Sequence, residues 1–392
     1  FRMFQLTQEE KLWEYWPLVL FLGTWLGIAV WIFPRGKDRE AAQRRFWLAT
    51  ASGLLLALGF PPLPTAPLLL VALVPLLLVE QEIRAKGGLY KKEYFRLLYH
   101  SFILWNILST YWVANSNLGA GIFAVVVNAW LMCLPWLFFH RTAKRMPRLA
   151  YPALIAYWIV LEYMHLRWDL AWPWLNLGNG FASLPPLVQW YEYTGTFGGT
   201  LWILITNCFL AGLWIKRRSS TQQPGLLQYG AAAALIALPM LASWAIYANY
   251  AVDGTPDTEE EIVLIQPNYE PHYQKDKVSE SNQLERFLQL AEANLTSATD
   301  YLVFPETSFG LILDTQLGKE KTTRQLKQLL DSFPDLSIVG GLSIYHKFTD
   351  RSALPPSARE AVRSNGDTLI YEVYNAAIQL QKGQTEVPLY KK

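Results

Sequence analysis

The sequence has 392 residues, of which 52% are hydrophobic and 17% charged. An ordinary soluble domain carries roughly 25% charged residues, so the chain as a whole does not read as a soluble globule. A net charge of +2 argues against a nucleic-acid partner, which usually leaves a strongly basic face. The two cysteines, Cys133 and Cys208, lie inside apolar runs and lack disulfide-framework or metal-site spacing.

The apolar excess is uneven. All 17 Trp precede residue 250, and charged residues become frequent after Val252. This shift predicts a membrane part at 1–251, a linker at 252–260 and a water-soluble part at 261–392. A helix crossing a bilayer needs about 20 apolar residues. Runs of this kind fall near 16–33, 46–60, 64–80, 94–113, 118–139, 150–166, 186–215 and 226–250, giving seven or eight spans. The run 16–33 either crosses the membrane or lies on its surface. It is not a cleaved signal, because Glu9, Glu10 and Glu14 precede it and no small-residue cleavage site follows.

Basic residues occupy alternate loops: Arg35, Lys37, Arg39, Arg44 and Arg45; Arg84, Lys86, Lys91 and Lys92; Arg141, Lys144, Arg145 and Arg148; Lys216, Arg217 and Arg218. The intervening loops hold almost none, only Arg167 within 167–185. The positive-inside rule makes the basic loops cytoplasmic and puts residues after 250 outside, which is the periplasm of a Gram-negative cell. The loop 167–185 mixes Trp168, Trp172 and Trp174 with Pro173, Asn176 and Gly178. An interfacial Trp belt and a re-entrant, lipid-gripping loop both fit. Apart from Glu162 near an end, the spans are read as lacking paired charges, which argues against a substrate-conducting bundle.

In the soluble part, 261–266, 301–304 and 336–344 read as strands, 280–298 and 318–332 as amphipathic helices, and 367–381 as a fourth strand or a bulged pair. Strand and helix alternation predicts an α/β layered domain. Glu306 follows the apolar strand 301–304 and a proline, a strand-end position where α/β domains place active sites. Partial desolvation there would raise its pKa and make it a general base; a salt-bridged loop Glu is the alternative. Asn375 is either a hydrogen-bonding core amide or a turn residue. Lys392, at the end of the sequence, carries no weight alone. Cys133 and Cys208 read as small buried hydrophobes.

Together these pieces resemble one family. Val303-Phe304-Pro305-Glu306-Thr307-Ser308 resembles the strand bearing the catalytic Glu of the nitrilase (carbon–nitrogen hydrolase) superfamily. Its membrane-bound branch with this layout is apolipoprotein N-acyltransferase. Gly59-Phe60-Pro61-Pro62 and Leu73-Val74-Pro75-Leu76-Leu77 resemble that family's first helical hairpin. Trp158, Glu162 and Trp172-Pro173-Trp174-Leu175-Asn176-Leu177-Gly178 resemble its Trp–Glu helix and periplasmic loop. Gln266-Pro267-Asn268, Tyr374-Asn375-Ala376-Ala377 and Tyr390-Lys391-Lys392 resemble its Gln-Gly-Asn, Tyr-Asn-Ser and Tyr-x-Lys motifs.

The resemblance implies a polytopic α-helical membrane bundle followed by an α/β nitrilase-like (αββα sandwich) domain, incomplete in this chain. It implies an inner-membrane enzyme with a periplasmic Glu–Lys–Cys triad. Glu306 would be the base and Lys392 the oxyanion-stabilising cation, with Trp174 and Asn375 at the substrate. The acyl donor would be a phosphatidylethanolamine-like phospholipid, and the acceptor a diacylglyceryl apolipoprotein. No metal or organic cofactor is implied. The chain departs from the pattern in the added run 16–33, in Trp172 for Phe, and in Pro267 for Gly. The nucleophilic Cys and a closing membrane helix are expected beyond Lys392, so the residues 1–392 alone are not expected to turn over. Two other readings are a membrane-tethered amidase or nitrilase acting on soluble C–N substrates, and an inactive nitrilase-like scaffold.

Overall fold

The computed structural model describes residues 15–35, 39–87, 91–218, 223–253, 259–269, 278–351, 354–362, 366–384 and 386–392. Glu9, Glu10, Glu14, Lys37 and linker residues 254–258 lie outside them. The chain divides into two units, Phe1–Thr255 and Pro256–Lys392.

The first unit is all helical. Among the described residues its main helices are α1 (Trp16–Ile32), α2 (Arg39–Leu58), α3 (Leu69–Ala72), α4 (Val74–Ala85), α5 (Lys91–Thr110), α6 (Leu118–Arg145), α7 (Ala150–His165), α8 (Tyr191–Arg218) and α9 (Leu226–Asp253), with a short helical turn at Val113–Ser116. Each predicted apolar run contains a helix, although α8 begins only at Tyr191, after a 3-10 turn at Pro185–Leu187. Among the described residues, Ala66–Ala85, Leu118–Arg145, Tyr191–Arg218 and Leu226–Tyr250 are long and apolar enough to cross a membrane. Trp16–Ile32 is apolar but shorter. The large side chains Phe102, Trp105, Trp136, Trp158 and Phe181 fill the centre of the unit and are fully buried.

The run 64–80 is not one uniform helix. Pro75 stands at the start of α4 and cannot donate a backbone N–H, so the ladder is interrupted at Leu73. Asn207 of α8 repairs the break. Its Oδ1 accepts from Leu73 N (2.7 Å) and Val74 N (3.1 Å), while its Nδ2 donates to Leu69 O (2.7 Å). In a hydrocarbon environment such backbone groups have no water to turn to.

The expectation that the bundle lacks paired charges apart from Glu162 is corrected. Glu80 on α4 is buried and lies 2.8 Å from His140 Nδ1 on α6, with Arg84 Nε at 3.3 Å. Both residues sit at helix ends that sequence reading treated as loop-proximal, and only packing brings them together.

The second unit is a mixed sheet with helices on one face. Its elements are β1 (Glu261–Leu264), α10 (Glu280–Asn294), β2 (Thr299–Val303), β3 (Phe309–Leu313), α11 (Lys321–Ser332), β4 (Ser337–Phe348), β5 (Arg359–Val362), β6 (Thr368–Leu380) and β7 (Leu389–Lys391). The strand order is β1-β2-β4-β6-β5, with β3 also pairing β4 and β7 pairing β6. Strands β1, β2, β3 and β4 run parallel where they pair, and β6 is antiparallel to β4, β5 and β7. Leu284, Phe287 and Ala291 of α10 and Leu326, Leu329 and Leu330 of α11 pack on Leu302, Ile338, Leu342 and Ile378. Ile262, Leu264 and Val373, of opposite strand parity, are exposed. The described residues thus form one helix layer on one sheet, the α/β half of the expected sandwich.

Three short strands, β3, β5 and β7, were not anticipated. Strand β6 is continuous rather than a bulged pair: its register with β4 runs unbroken from Ile338↔Leu380 to Phe348↔Ile370.

The broken helix generates a prediction. Asn207→Leu leaves the backbone groups of Leu69, Leu73 and Val74 without their side-chain partner, and lowers stability by about 1–3 kcal/mol. Thermal unfolding in detergent should show a lower midpoint; an unchanged midpoint contradicts this role for Asn207.

Candidate active site

The segment that places Glu306 is dictated by local chemistry. Phe304 N donates to Val339 O (2.9 Å), continuing the β2–β4 ladder. Pro305 has no N–H, so the ladder stops there. Thr307 takes a left-handed conformation (φ 51°), and Ser308 Oγ closes the turn on Pro305 O at 2.6 Å. Ser308 N then rejoins β4 at Gly341 O (2.9 Å). The turn lies directly on Gly341. A Cβ there would strike Pro305 O and come 2.7 Å from Glu306 Cα. Beneath it, Phe287, Phe304 and Phe309 form an edge-to-face aromatic cluster with centroids 5.3–5.5 Å apart.

Two further strands converge on this turn. Asn375 of β6 pairs with Ser343 of β4 in the ladder, and its Nδ2 donates to Glu306 Oε1. Strand β7 pairs with β6 through Ala376↔Lys391, and Lys392 N donates to Asn375 O at 2.9 Å. Lys392 Nζ then lies 3.0 Å from Glu306 Oε1. Three of the four residues singled out from sequence are therefore brought together. Within residues 1–392 the Glu306 side chain is 59% exposed and that of Lys392 71% exposed. The proline turn lifts Glu306 off the strand end instead of sinking it into the core.

Beside the turn a cavity of about 470 Å³ is lined by Gln283, Thr307, Ser308, Thr322 and Ser343. A second polar cluster, which sequence reading missed, joins β4, β6 and β7 to Asp314 after β3 and Ser357 before β5. His346 Nδ1 lies 2.7 Å from Asp314 Oδ2, Lys391 Nζ lies 3.8 Å from the same oxygen, and Lys391 Nζ stands 4.5 Å above the Tyr374 ring. Glu372 accepts from the hydroxyls of Ser357 and Tyr374. The available signal was the parity of Glu372, Tyr374 and Lys391 once β6 and β7 are paired.

The fourth residue, Trp174, belongs to the helical unit. It lies in the 3-10 turn Pro173–Leu175, is 56% exposed, and meets Trp112 edge-on at 5.3 Å. The loop around it folds back into its unit, with Leu175, Asn176, Leu177 and Phe181 buried. Glu162 is its anchor. Its carboxylate accepts from Trp158 Nε1 (2.8 Å), Leu177 N (2.7 Å) and Thr200 Oγ1 (2.7 Å). Thr200 Oγ1 also accepts from Gly178 N (3.0 Å), and Tyr191 OH donates to Gly178 O (3.0 Å). This favours the re-entrant description over a simple surface belt.

A membrane-embedded helical unit followed by an α/β unit that sets a carboxylate against a lysine defines a membrane-bound, nitrilase-like protein. Residues 52–209 match the family model described as apolipoprotein N-acyltransferase N-terminal domain. Proteins named apolipoprotein N-acyltransferase are similar along much of the chain. The one from Chlorobaculum tepidum is 28% identical over 371 residues, covering 91% of this chain and 65% of its own length. That from Geobacter metallireducens is 26% identical over 299 residues, covering 70% and 53%. That from Rhodopirellula baltica is 23% identical over 288 residues, covering 67% and 48%. The chain is thus similar to proteins named apolipoprotein N-acyltransferase and spans about two thirds or less of the length of these relatives.

The Glu372 cluster carries a pH prediction. The hydroxyls of Ser357 and Tyr374, then Lys391 and His346, hold the Glu372 carboxyl below its ordinary 4.5. A depressed folded-state value means the stabilisation is present above 4.5 and is lost as pH falls through the folded value. Tyr374, by its bond to Glu372, is pushed up to about 12, so its contribution is present below 10 and lost as pH rises through about 12. The urea midpoint should fall as the pH drops below 4.5 in the parent and fall less in Glu372→Gln. Parallel acid limbs for the two proteins contradict it.

Proposed function

We propose that the protein N-acylates the N-terminal diacylglyceryl cysteine of apolipoproteins, using a phospholipid as acyl donor through a thioester acyl-enzyme. The single observation that carries this reading is the convergence of Lys392 Nζ on Glu306 Oε1 at 3.0 Å. The names of the relatives and the membrane unit support the same reading. In it, Glu306 takes the proton of a thiol, and the thiolate attacks the acyl ester carbonyl of the phospholipid. Lys392 faces the oxygen on which negative charge develops, a contribution realised mainly in the transition state. The C–O bond breaks, the lysophospholipid leaves with the proton held by Glu306, and the acyl group remains as a thioester. The free α-amine of the acceptor cysteine then attacks. The C–S bond breaks, an amide forms, and the amine's proton returns to the thiolate by way of Glu306.

Cys133 and Cys208 are buried in the helical unit, and Cys133 Sγ already donates to Ala129 O at 3.3 Å. The thiol in this proposal is therefore one supplied outside residues 1–392, consistent with the 65% coverage of the Chlorobaculum relative. Asn375 orients the carboxylate, and Trp174, exposed on an anchored loop, contacts lipid. The helical unit is read as seven or eight crossings in the bacterial inner membrane. The basic loops face the cytoplasm and the α/β unit faces the periplasm.

In the full-length protein, Glu306→Gln should reduce thioester formation about 10²–10⁴-fold without altering membrane insertion. Lys392→Met should reduce it about 10²–10³-fold. Lysophospholipid release from labelled phospholipid and trapping of the acyl-enzyme measure both, and normal thioester accumulation in Glu306→Gln removes Glu306 from the mechanism. Protease added to intact spheroplasts should cleave within residues 256–392; complete protection there, with cleavage after lysis, sinks the periplasmic assignment.

A further inference from the structure

A cavity of about 430 Å³ opens between α1, α5 and α6. Its walls are apolar, with Phe21, Ile28, Ile103, Ile107 and Val125 among the lining residues. Apolar surface is expected wherever a helix meets lipid, so greasiness alone identifies nothing. Three features set this crevice apart. It is concave and large enough for an acyl chain, within the range of small-molecule sites. The Arg96 guanidinium stands in its lining, exposed, and makes no hydrogen bond or ion pair among the described residues. Trp25 also lines it, and its buried Nε1 has no acceptor among the described residues.

The spacing of these donors is informative. Trp25 stacks on His100 with centroids 5.2 Å apart, and His100 is held by Thr50 Oγ1 at 2.8 Å. Arg96 precedes His100 by four residues on α5, about one turn or ~6 Å along the axis. The crevice thus presents an unpaired cation at one level, an orphan N–H donor about one turn deeper, and aliphatic wall beyond. Lys92, a further turn toward the helix start, is exposed on the same stripe as Arg96. That order of groups matches a phosphodiester, a glycerol ester carbonyl and an acyl chain.

We infer that the α1–α5–α6 crevice holds one anionic phospholipid, its phosphate on Arg96, an ester carbonyl on Trp25 Nε1 and a chain along Ile103 and Ile107. A cation at the membrane boundary attracts anionic over zwitterionic headgroups. The site lies at the basic ends of the helices, so under the orientation proposed above it opens to the cytoplasmic leaflet. It is a bound-lipid site and not the donor site of the acyl transfer. It also gives a purpose to α1, the helix that the sequence adds before the family's first hairpin.

The test is lipid retention by the full-length protein in mild detergent, after exchange into phosphatidylglycerol or phosphatidylethanolamine, read by native mass spectrometry. The parent should retain one phosphatidylglycerol per chain, with about tenfold preference over phosphatidylethanolamine. Arg96→Gln should bring that preference close to unity, and Trp25→Phe, which keeps the ring against His100, should lower retention severalfold at an unchanged unfolding temperature. Glu306→Gln should retain lipid like the parent, so loss of acyl transfer and loss of this site are separable. Equal retention of the two lipids by the parent, an Arg96→Gln variant indistinguishable from it, or a dimer that closes the crevice without lipid would each overturn the inference.

Discussion

Backbone polar groups that leave a helix inside a membrane must find protein partners, because no water is there to take them. Two such departures from helix, among the described residues, are held by α8. Asn207 holds the break between α3 and α4, and Thr200, with Glu162, holds the loop that returns through Leu177 and Gly178. Thr200 and Asn207 are seven residues apart, two turns along one face of α8. A Cβ on Gly178 would meet Thr196 O, so the loop sits against the α8 backbone itself. The segment carrying Trp174 is therefore a docked element with a fixed floor, and its exposed tryptophan is presented by buried hydrogen bonds.

The α/β unit solves a similar problem with fewer polar groups. Pro305 stops one ladder, Ser308 restarts it, and Gly341 removes the Cβ that would keep the turn away. Glu306 is displayed at the point where β2 hands over to β3 along the single long strand β4. Its orientation follows from backbone pairing and from the aromatic cluster beneath, both less mobile than a free loop.

Much of this could be read from sequence because it depends on local or periodic signals. The apolar runs, the strand-ending Pro305-Glu306 and the amphipathic α10 and α11 are of that kind. What could not be read depends on tertiary pairing. Glu80 and His140 lie 60 residues apart and meet only because α4 and α6 pack together. Within residues 1–392 the Glu306 side chain is exposed, because the proline turn projects it off the strand end. Strand β3 is apolar but only five residues long, and its identity as a strand depends on its pairing with β4. Gly340-Gly341 inside a strand was the clearest unused clue, because glycine there signals close backbone approach.

The Lys391-Lys392 pair shows how strand geometry resolves what composition leaves ambiguous. Either lysine could face Glu306 on the sequence alone. In β7, Leu389 pairs with Ile378 and packs against the core, while Lys391 pairs with Ala376 and shares its parity. Alternation then sends Lys391 over Tyr374 and toward Asp314, leaving Lys392 on the opposite side, within 3.0 Å of Glu306. A slip of one residue would exchange the two lysines and expose Leu389. The apolar contact of Leu389 and the contacts of Lys391 with Tyr374 and Asp314 oppose that slip together. The neighbouring cluster is thus part of what sets Lys392 against the carboxylate.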